Sequence, residues 1–277
     1  MSEDRLLQIR FAGRLIDLLG QQMYGGAVPS VAELVANAWD ADADKVEILI
    51  PDDVKAPNAE IIVRDYGSGM SFEELNEFYL HIGYERRARG ERTTGGRLVM
   101  GRKGIGKLAG FGIAEDIIVT SIKDGHLVEL GLNYTELRSL ETTTDFKFNP
   151  LRDEATTEPD GVQVTFKTLK LSRSINPNSF RTSMARRFAL GSEDMEIVVN
   201  NTPISKEDLT LEYRYPENGW TKETIDGFGE IEYWFGFLNS TIKDTELRGV
   251  SIFARERVAQ FTPFFFNLLV ALMVKSP

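Results

Sequence analysis

The sequence predicts an α+β chain, a two-layer α/β sandwich over residues 1–201 followed by the start of a β-rich second domain over 202–277. Three observations predict it. The β-branched runs adjoin as hairpins while the amphipathic stretches cluster, a pattern that suits helices packed on one mostly antiparallel sheet better than a doubly wound parallel one. One stretch, Val31 to Asp42, places polar side chains on a single helical stripe beside an apolar one. After Asn201 the texture changes to short β-rich runs at Thr210–Tyr215, Gly229–Asn239 and Gly249–Val258.

Each element has its own signal. Leu6 to Met23 carries apolar residues at helical spacing and stops at Gly25-Gly26, so it reads as a helix. The helix of the polar stripe follows, with Pro29 at its first turn and Ser30-x-x-Glu33 as a capping box. Lys45–Pro51 and Glu60–Asp65 read as strands, and Phe72–Ile82 as a helix capped by Ser71. Ala109–Ile113 reads as helical, and Ile117–Lys123 with His126–Asn133 as a hairpin around Asp124-Gly125. Thr142–Pro159 is polar and reads as a loop. Val162–Leu169 is expected to be a strand, Asn178–Leu190 a helix, and Glu196–Val199 a strand ended by Asn200-Asn201.

Three stretches carry chemistry. In the polar-stripe helix, Glu33, Asn37 and Asp40 stand at offsets of four and three, with Leu34, Val35, Ala38 and Ala41 to anchor them; oxygen donors held on a rigid element suit a metal ion or an activated water. Next comes Ile61-Ile-Val-Arg-Asp-Tyr-Gly-Ser-Gly-Met70, a buried-strand run that breaks at Asp65-x-Gly67-x-Gly69. Its glycines permit close backbone approach to a ligand. Asp65 at the strand end can accept from an exocyclic amine, and Met70 supplies a soft wall for a flat ring. The third stretch, Gly101-Arg-Lys103-Gly104-Ile105-Gly106-Lys107, is glycine-rich and runs into an apolar segment, where backbone amides with Lys103 and Lys107 can cradle phosphates.

These three motifs, in this order and spacing, resemble the nucleotide-binding domain of the GHKL superfamily of gyrase, the heat-shock chaperone, histidine kinases and MutL. The resemblance covers roughly residues 10–200, and the wording of the first motif with the Gly104-Ile105-Gly106-Lys107 lid is most similar to bacterial chaperone-like and MORC-like members. The resemblance implies the Bergerat ATP-binding fold and a Mg²⁺-dependent ATPase. It implies Glu33 as general base, Asn37 as Mg²⁺ ligand and Asp40 as the second acidic position, with Ala41 beside it. It implies Asp65 as the adenine-reading carboxylate, Gly67, Gly69 and Met70 as the turn beneath the base, and Gly101, Lys103, Gly104, Ile105, Gly106 and Lys107 in a lid spanning about 84–108. It further implies ATP-driven lid closure with N-terminal homodimerisation, in which Tyr24 and the first helix can take part. The outcome would be a clamp or switch acting on DNA or protein, a chaperone acting on protein clients, or a non-hydrolysing ATP-binding module. The β-rich tail resembles the transducer that follows such domains, whose lysine has Lys243 and Lys275 as candidates. One position departs from the family: Val162, after Gly161, stands where a threonine usually supports the adenine-reading carboxylate. Thr165, three residues on, should face the other side of its strand.

A P-loop is the rival at Gly101-x-x-x-x-Gly106-Lys107, with Leu98-Val99-Met100 as its strand. Leu108 argues against it, because a P-loop holds Mg²⁺ through a hydroxyl at that position. With no cysteine, the chain has neither disulfides nor thiolate metal sites, and its two histidines, His81 and His126, are too isolated for zinc. The charged N-terminus lacks a signal h-region and suggests the cytoplasm. A net charge of −10 disfavours a surface that coats DNA, and the mixed run Glu85–Arg92 reads as a solvated face. The closing run Phe264–Val274 is about half the length that spans a bilayer, so it is expected to pack against protein, and the chain to be a fragment of a longer one.

Overall fold

The computed structural model describes residues 7–9, 26–81, 92–97, 99–100, 106–139, 146–188, 194–205, 213–226, 229–237, 249–254, 257–262 and 270–276. In chain order the first elements are β1 (Leu7–Ile9), α1 (Ala27–Asp40), β2 (Lys45–Leu49), β3 (Ile61–Asp65) and α2 (Phe72–Glu74), which continues as a π-helical turn over Leu75–Tyr79. A 3₁₀ segment (Gly106–Gly112), β4 (Ala114–Lys123), β5 (His126–Asn133), α3 (Tyr134–Ser139), β6 (Phe146–Phe148), β7 (Arg152–Ala155) and β8 (Gly161–Leu169) follow. The stretch then runs through α4 (Pro177–Phe188), β9 (Glu196–Val199) and β10 (Thr202–Pro203). The chain divides into two compact units, one of Met1–Phe180 with Asp194–Pro203 and one of Arg181–Glu193 with Ile204–Pro277.

The first unit is built on an eight-stranded sheet ordered β10-β9-β2-β3-β8-β4-β5-β7, antiparallel except where β2 runs parallel to β9. This mixed α/β architecture is the expected α+β fold. Because neighbouring strands are in register, their core-facing residues form rows across the sheet. Val63, Val164 and Val119 make one row and Ile61, Phe166 and Ile117 the next, all buried. Two residues further along each strand, the same face ends in the row Asp65, Val162, Ser121, where the apolar layer becomes polar. α1 covers this side through Val31, Val35, Ala38 and Trp39, each buried and each worth roughly 1.5–3 kcal/mol for the larger side chains.

Local chemistry accounts for the element ends. Ser71 caps α2 as expected, its hydroxyl accepting from Glu74 N–H at 3.3 Å while Glu74 accepts from Ser71 N–H at 2.9 Å. Asp124 and Gly125 both take positive φ, 51° and 75°, giving the two-residue turn that matches hairpin twist. Asn200 and Asn201, at 45° and 61°, turn β9 into β10.

Several expectations are corrected. Leu7–Ile9 is not helical but a strand, β1, paired with β6; the remainder of Leu6–Met23, and Tyr24, lie outside the described residues. The stretch expected to be a loop, Thr142–Pro159, holds β6 and β7. α1 starts at Ala27 after an extended Gly26, so Ser30 is inside the helix and forms no capping box; its Oγ lies 3.1 Å from the Gly26 carbonyl and 3.0 Å from the Ala109 carbonyl. Ala109–Gly112 is 3₁₀ rather than α. Gly106, Gly110 and Gly112 give it poor helix propensity, and a Cβ on Gly110 would come within 2.1 Å of the Phe166 ring, so the segment is moulded to the sheet.

The second unit contains a six-stranded sheet of β11 (Tyr213–Tyr215), β12 (Thr221–Ile225), β13 (Gly229–Phe237), β14 (Gly249–Ala254), β15 (Arg257–Thr262) and β16 (Val270–Ser276), ordered β11-β13-β16-β14-β15 with β12 against β13. The apolar closing run therefore supplies a strand between β13 and β14. Trp234 is buried, with the Arg214 guanidinium 4.8 Å from its ring centroid; that guanidinium is held by the carbonyls of Pro216, Glu217 and Gly219. No helix among the described residues is long and apolar enough to cross a membrane.

Candidate functional site

From Ser30 to Asp40 every residue of α1 is buried except Glu33, Asn37 and Asp40. Those three fall within one helical stripe, so an otherwise enclosed helix opens along a single carboxylate–amide–carboxylate line. The Asn37 amide makes no hydrogen bond among the described residues. Asp40, the second acidic position of the stripe, accepts the Met100 N–H on its Oδ1 at 2.6 Å, tying the stretch before the glycine-rich loop to the end of α1.

That end is shaped to receive the loop. α1 closes with Asp42 N–H on the Trp39 carbonyl and Ala43 N–H on the Ala38 carbonyl, a Schellman arrangement with Asp42 left-handed at φ 57°. The turn presents the Asp42 carboxylate to Thr93 Oγ1 at 2.5 Å and to Gly95 N–H at 2.8 Å. Arg97 completes the anchor, stacking 4.7 Å from the Trp39 ring centroid and donating to the carbonyls of Ala43 and Asp194. Neither Asp42 nor Arg97 was legible as functional, because each acts on a backbone group far away in sequence.

The Asp65–Met70 turn is fastened to three elements. Asp65 is buried; its Oδ1 accepts Gly67 N–H at 2.9 Å and Val162 N–H at 3.2 Å, and its Oδ2 accepts nothing among the described residues. Burial pushes its carboxyl above the ordinary carboxylate range against the pull of those two amides. The glycines are needed for close approach of the protein's own backbone. A Cβ on Gly67 would lie 2.7 Å from the Ala41 carbonyl, and one on Gly69, at φ 59°, only 1.9 Å from the Ile122 carbonyl. Ala41 likewise serves the turn through its backbone, accepting Ser68 N–H at 3.0 Å. The half-buried Met70 is gripped by Ser121, a residue that sequence reasoning missed: Ser121 Oγ is 2.8 Å from Met70 N and 2.9 Å from Met70 O.

At the family's threonine position, Val162 reaches Asp65 with its amide instead of a hydroxyl. Thr165 belongs to the opposite face, in the row of Ile62 and Ile118. Gly101, Lys103, Gly104 and Ile105 lie outside the described residues, as does most of the expected lid; Gly106 and Lys107 open the 3₁₀ segment. Val99 and Met100 are in no strand, which removes the support that a P-loop needs. His126, at the start of β5, pairs with Asp153 at 2.5 Å.

The helix stripe, the fastened turn and the 3₁₀ segment that Ser30 ties to α1 all fall within residues 27–156, and this stretch matches the family model of histidine kinase-, DNA gyrase B- and HSP90-like ATPases. Over residues 27–156 the chain is similar to that ATPase family. The chain is 35% identical over 205 residues to the protein named "Putative type II restriction enzyme HgiDII" of Herpetosiphon aurantiacus, an alignment covering 73% of this chain and 33% of that protein. The chain thus spans about a third of the relative's length.

Proposed function

We propose that the first unit binds ATP with magnesium and hydrolyses it, and that the cycle closes a lid over residues 84–108 and drives N-terminal dimerisation. The observation that carries this reading is the opening of α1 at Glu33 and Asn37 alongside an Asp65 whose Oδ2 is left for a donor. Asp65 takes the exocyclic amine of the base, and Met70 lies against the ring. Glu33 orients a water and accepts its proton as the water oxygen attacks the γ-phosphorus, whose bond to the β–γ bridging oxygen breaks to release ADP and phosphate. Among the described residues no three acidic, histidine or cysteine side chains cluster as a metal site. A magnesium ion carried on phosphates needs only one or two protein oxygens, and the unengaged Asn37 amide supplies one. Bound there, the ion offsets phosphate charge. Lid amides of Gly101, Gly104 and Gly106, with Lys103 and Lys107, hold the terminal phosphoryl oxygens.

The β-rich stretch over 202–277 is read as the transducer-like domain, Lys243 and Lys275 being its candidate phosphate lysines. The relative's name denotes a restriction enzyme, which favours DNA over a protein client as what the movement acts on. With a net charge of −10, this chain suits the part of driver rather than of DNA-coating surface. Steady-state hydrolysis by Glu33→Ala tests the catalytic assignment. Turnover should fall about a hundredfold or more with ATP affinity largely kept, as expected for loss of a general base. Unchanged turnover would remove Glu33 from that role.

A further inference from the structure

The polar row that ends the core face holds a group for which the site as described has no use: the fully buried hydroxyl of Ser121. Rows below it on β4 carry Val119 and Ile117, so a valine here would continue the apolar layer, and a serine is the poorer strand former. A buried hydroxyl is costly unless bonded, and this one spends both its functions on one residue, accepting from Met70 N–H at 2.8 Å and donating to Met70 C=O at 2.9 Å. Ser121 stands directly across from Val162, the position where the hydroxyl is missing, and Val162 in turn is bonded to Asp65 through its amide.

We propose that Ser121 is a positioning residue that determines base specificity, holding Met70 from β4 at the position directly across from Val162. The inference rests on the nucleotide reading and deepens it. Asp65 fixes one end of the turn and Ser121 the other, two strands apart in one row, so the spacing between the carboxylate Oδ2 and the Met70 wall is set by the sheet. Gly69 seats the middle, pressed against the Ile122 carbonyl. An adenine presents an amine to Oδ2; a hypoxanthine presents a carbonyl there and is repelled. Discrimination between the two requires the turn to be held, and releasing Met70 lets the carboxylate drift from the base edge.

The test is calorimetric affinity for ATP and for inosine triphosphate in wild type, Ser121→Ala, Ser121→Cys and Ser121→Thr, with melting temperatures alongside. Wild type should prefer ATP. Ser121→Ala should narrow that preference by about tenfold by weakening ATP binding selectively, in line with a lost buried hydrogen bond. The near-isosteric cysteine should narrow it too, covering the case in which alanine fails to fold, and threonine should restore it. A parallel loss for both nucleotides in the alanine and cysteine variants, or no change in either, would overturn the assignment as merely structural. A wild type that binds ATP without preferring it would also overturn it. A wild type that binds neither nucleotide would instead overturn the nucleotide reading on which it stands.

Discussion

Asp65 carries a burial cost within the fold. It is buried at the end of an apolar strand, and its carboxyl is pushed up because burial disfavours the charge. The folded chain therefore holds this proton at pH values where the unfolded chain has released it. Its contribution to the stability of the nucleotide-free fold falls as pH rises from the ordinary carboxylate value of 3.8 through the raised one. Asp65→Asn keeps an oxygen for the Gly67 and Val162 amides and removes the buried charge. Scanning calorimetry should find the variant melting ~2–4 °C above wild type at neutral pH, the gap closing as pH falls through that window, while ATP binding is lost. A variant that melts lower at neutral pH would contradict the burial argument. Asp65 stood out in the sequence because a carboxylate at a strand end followed by spaced glycines is a local signal. Ser121 did not, because its meaning lies in pairing with Val162, forty-one positions away in the chain but adjacent in the sheet.

Among the elements, α1 was legible from its stripe and its buried complement, and the β4–β5 hairpin from Asp124-Gly125. What escaped were elements whose stability is borrowed from distant partners. β1 is three residues long and exists through pairing with β6, and the polar Arg152-Asp-Glu-Ala of β7 is an exposed edge strand that no alternation marks. The C-terminal end of α1 was missed for a related reason: Asp42 carries a left-handed backbone and a carboxylate whose partners, Thr93 and Gly95, lie fifty residues on. Asp42→Ala removes two hydrogen bonds and leaves a Cβ-bearing residue at φ 57° without the local compensation aspartate has. Chemical denaturation should register a loss of about 1–3 kcal/mol, and hydrogen exchange should rise at Thr93–Met100 before it rises in the sheet. Exchange unchanged in that segment would mean that the α1 end does not anchor it.

At the scale of the whole molecule, a sheet whose helix-covered face is apolar everywhere but at one end brings α1 and the Asp65–Met70 turn together, through the Ala41 carbonyl and the Ser68 amide. Asp40 and Asp42 fasten to the same helix end the stretch that precedes the glycine-rich loop. The family match over residues 27–156 covers that convergence, and the protein named putative type II restriction enzyme HgiDII aligns over 73% of the chain. The convergence was foreseeable from motif order, but the fastenings were not: Gly67 and Gly69 also admit the neighbouring backbone, and Asp40 also accepts the Met100 amide. The most direct test is a calorimetric titration of the whole wild-type chain with ATP and magnesium. The account predicts saturable binding near one nucleotide per chain; a titration without binding heat at several temperatures would contradict it.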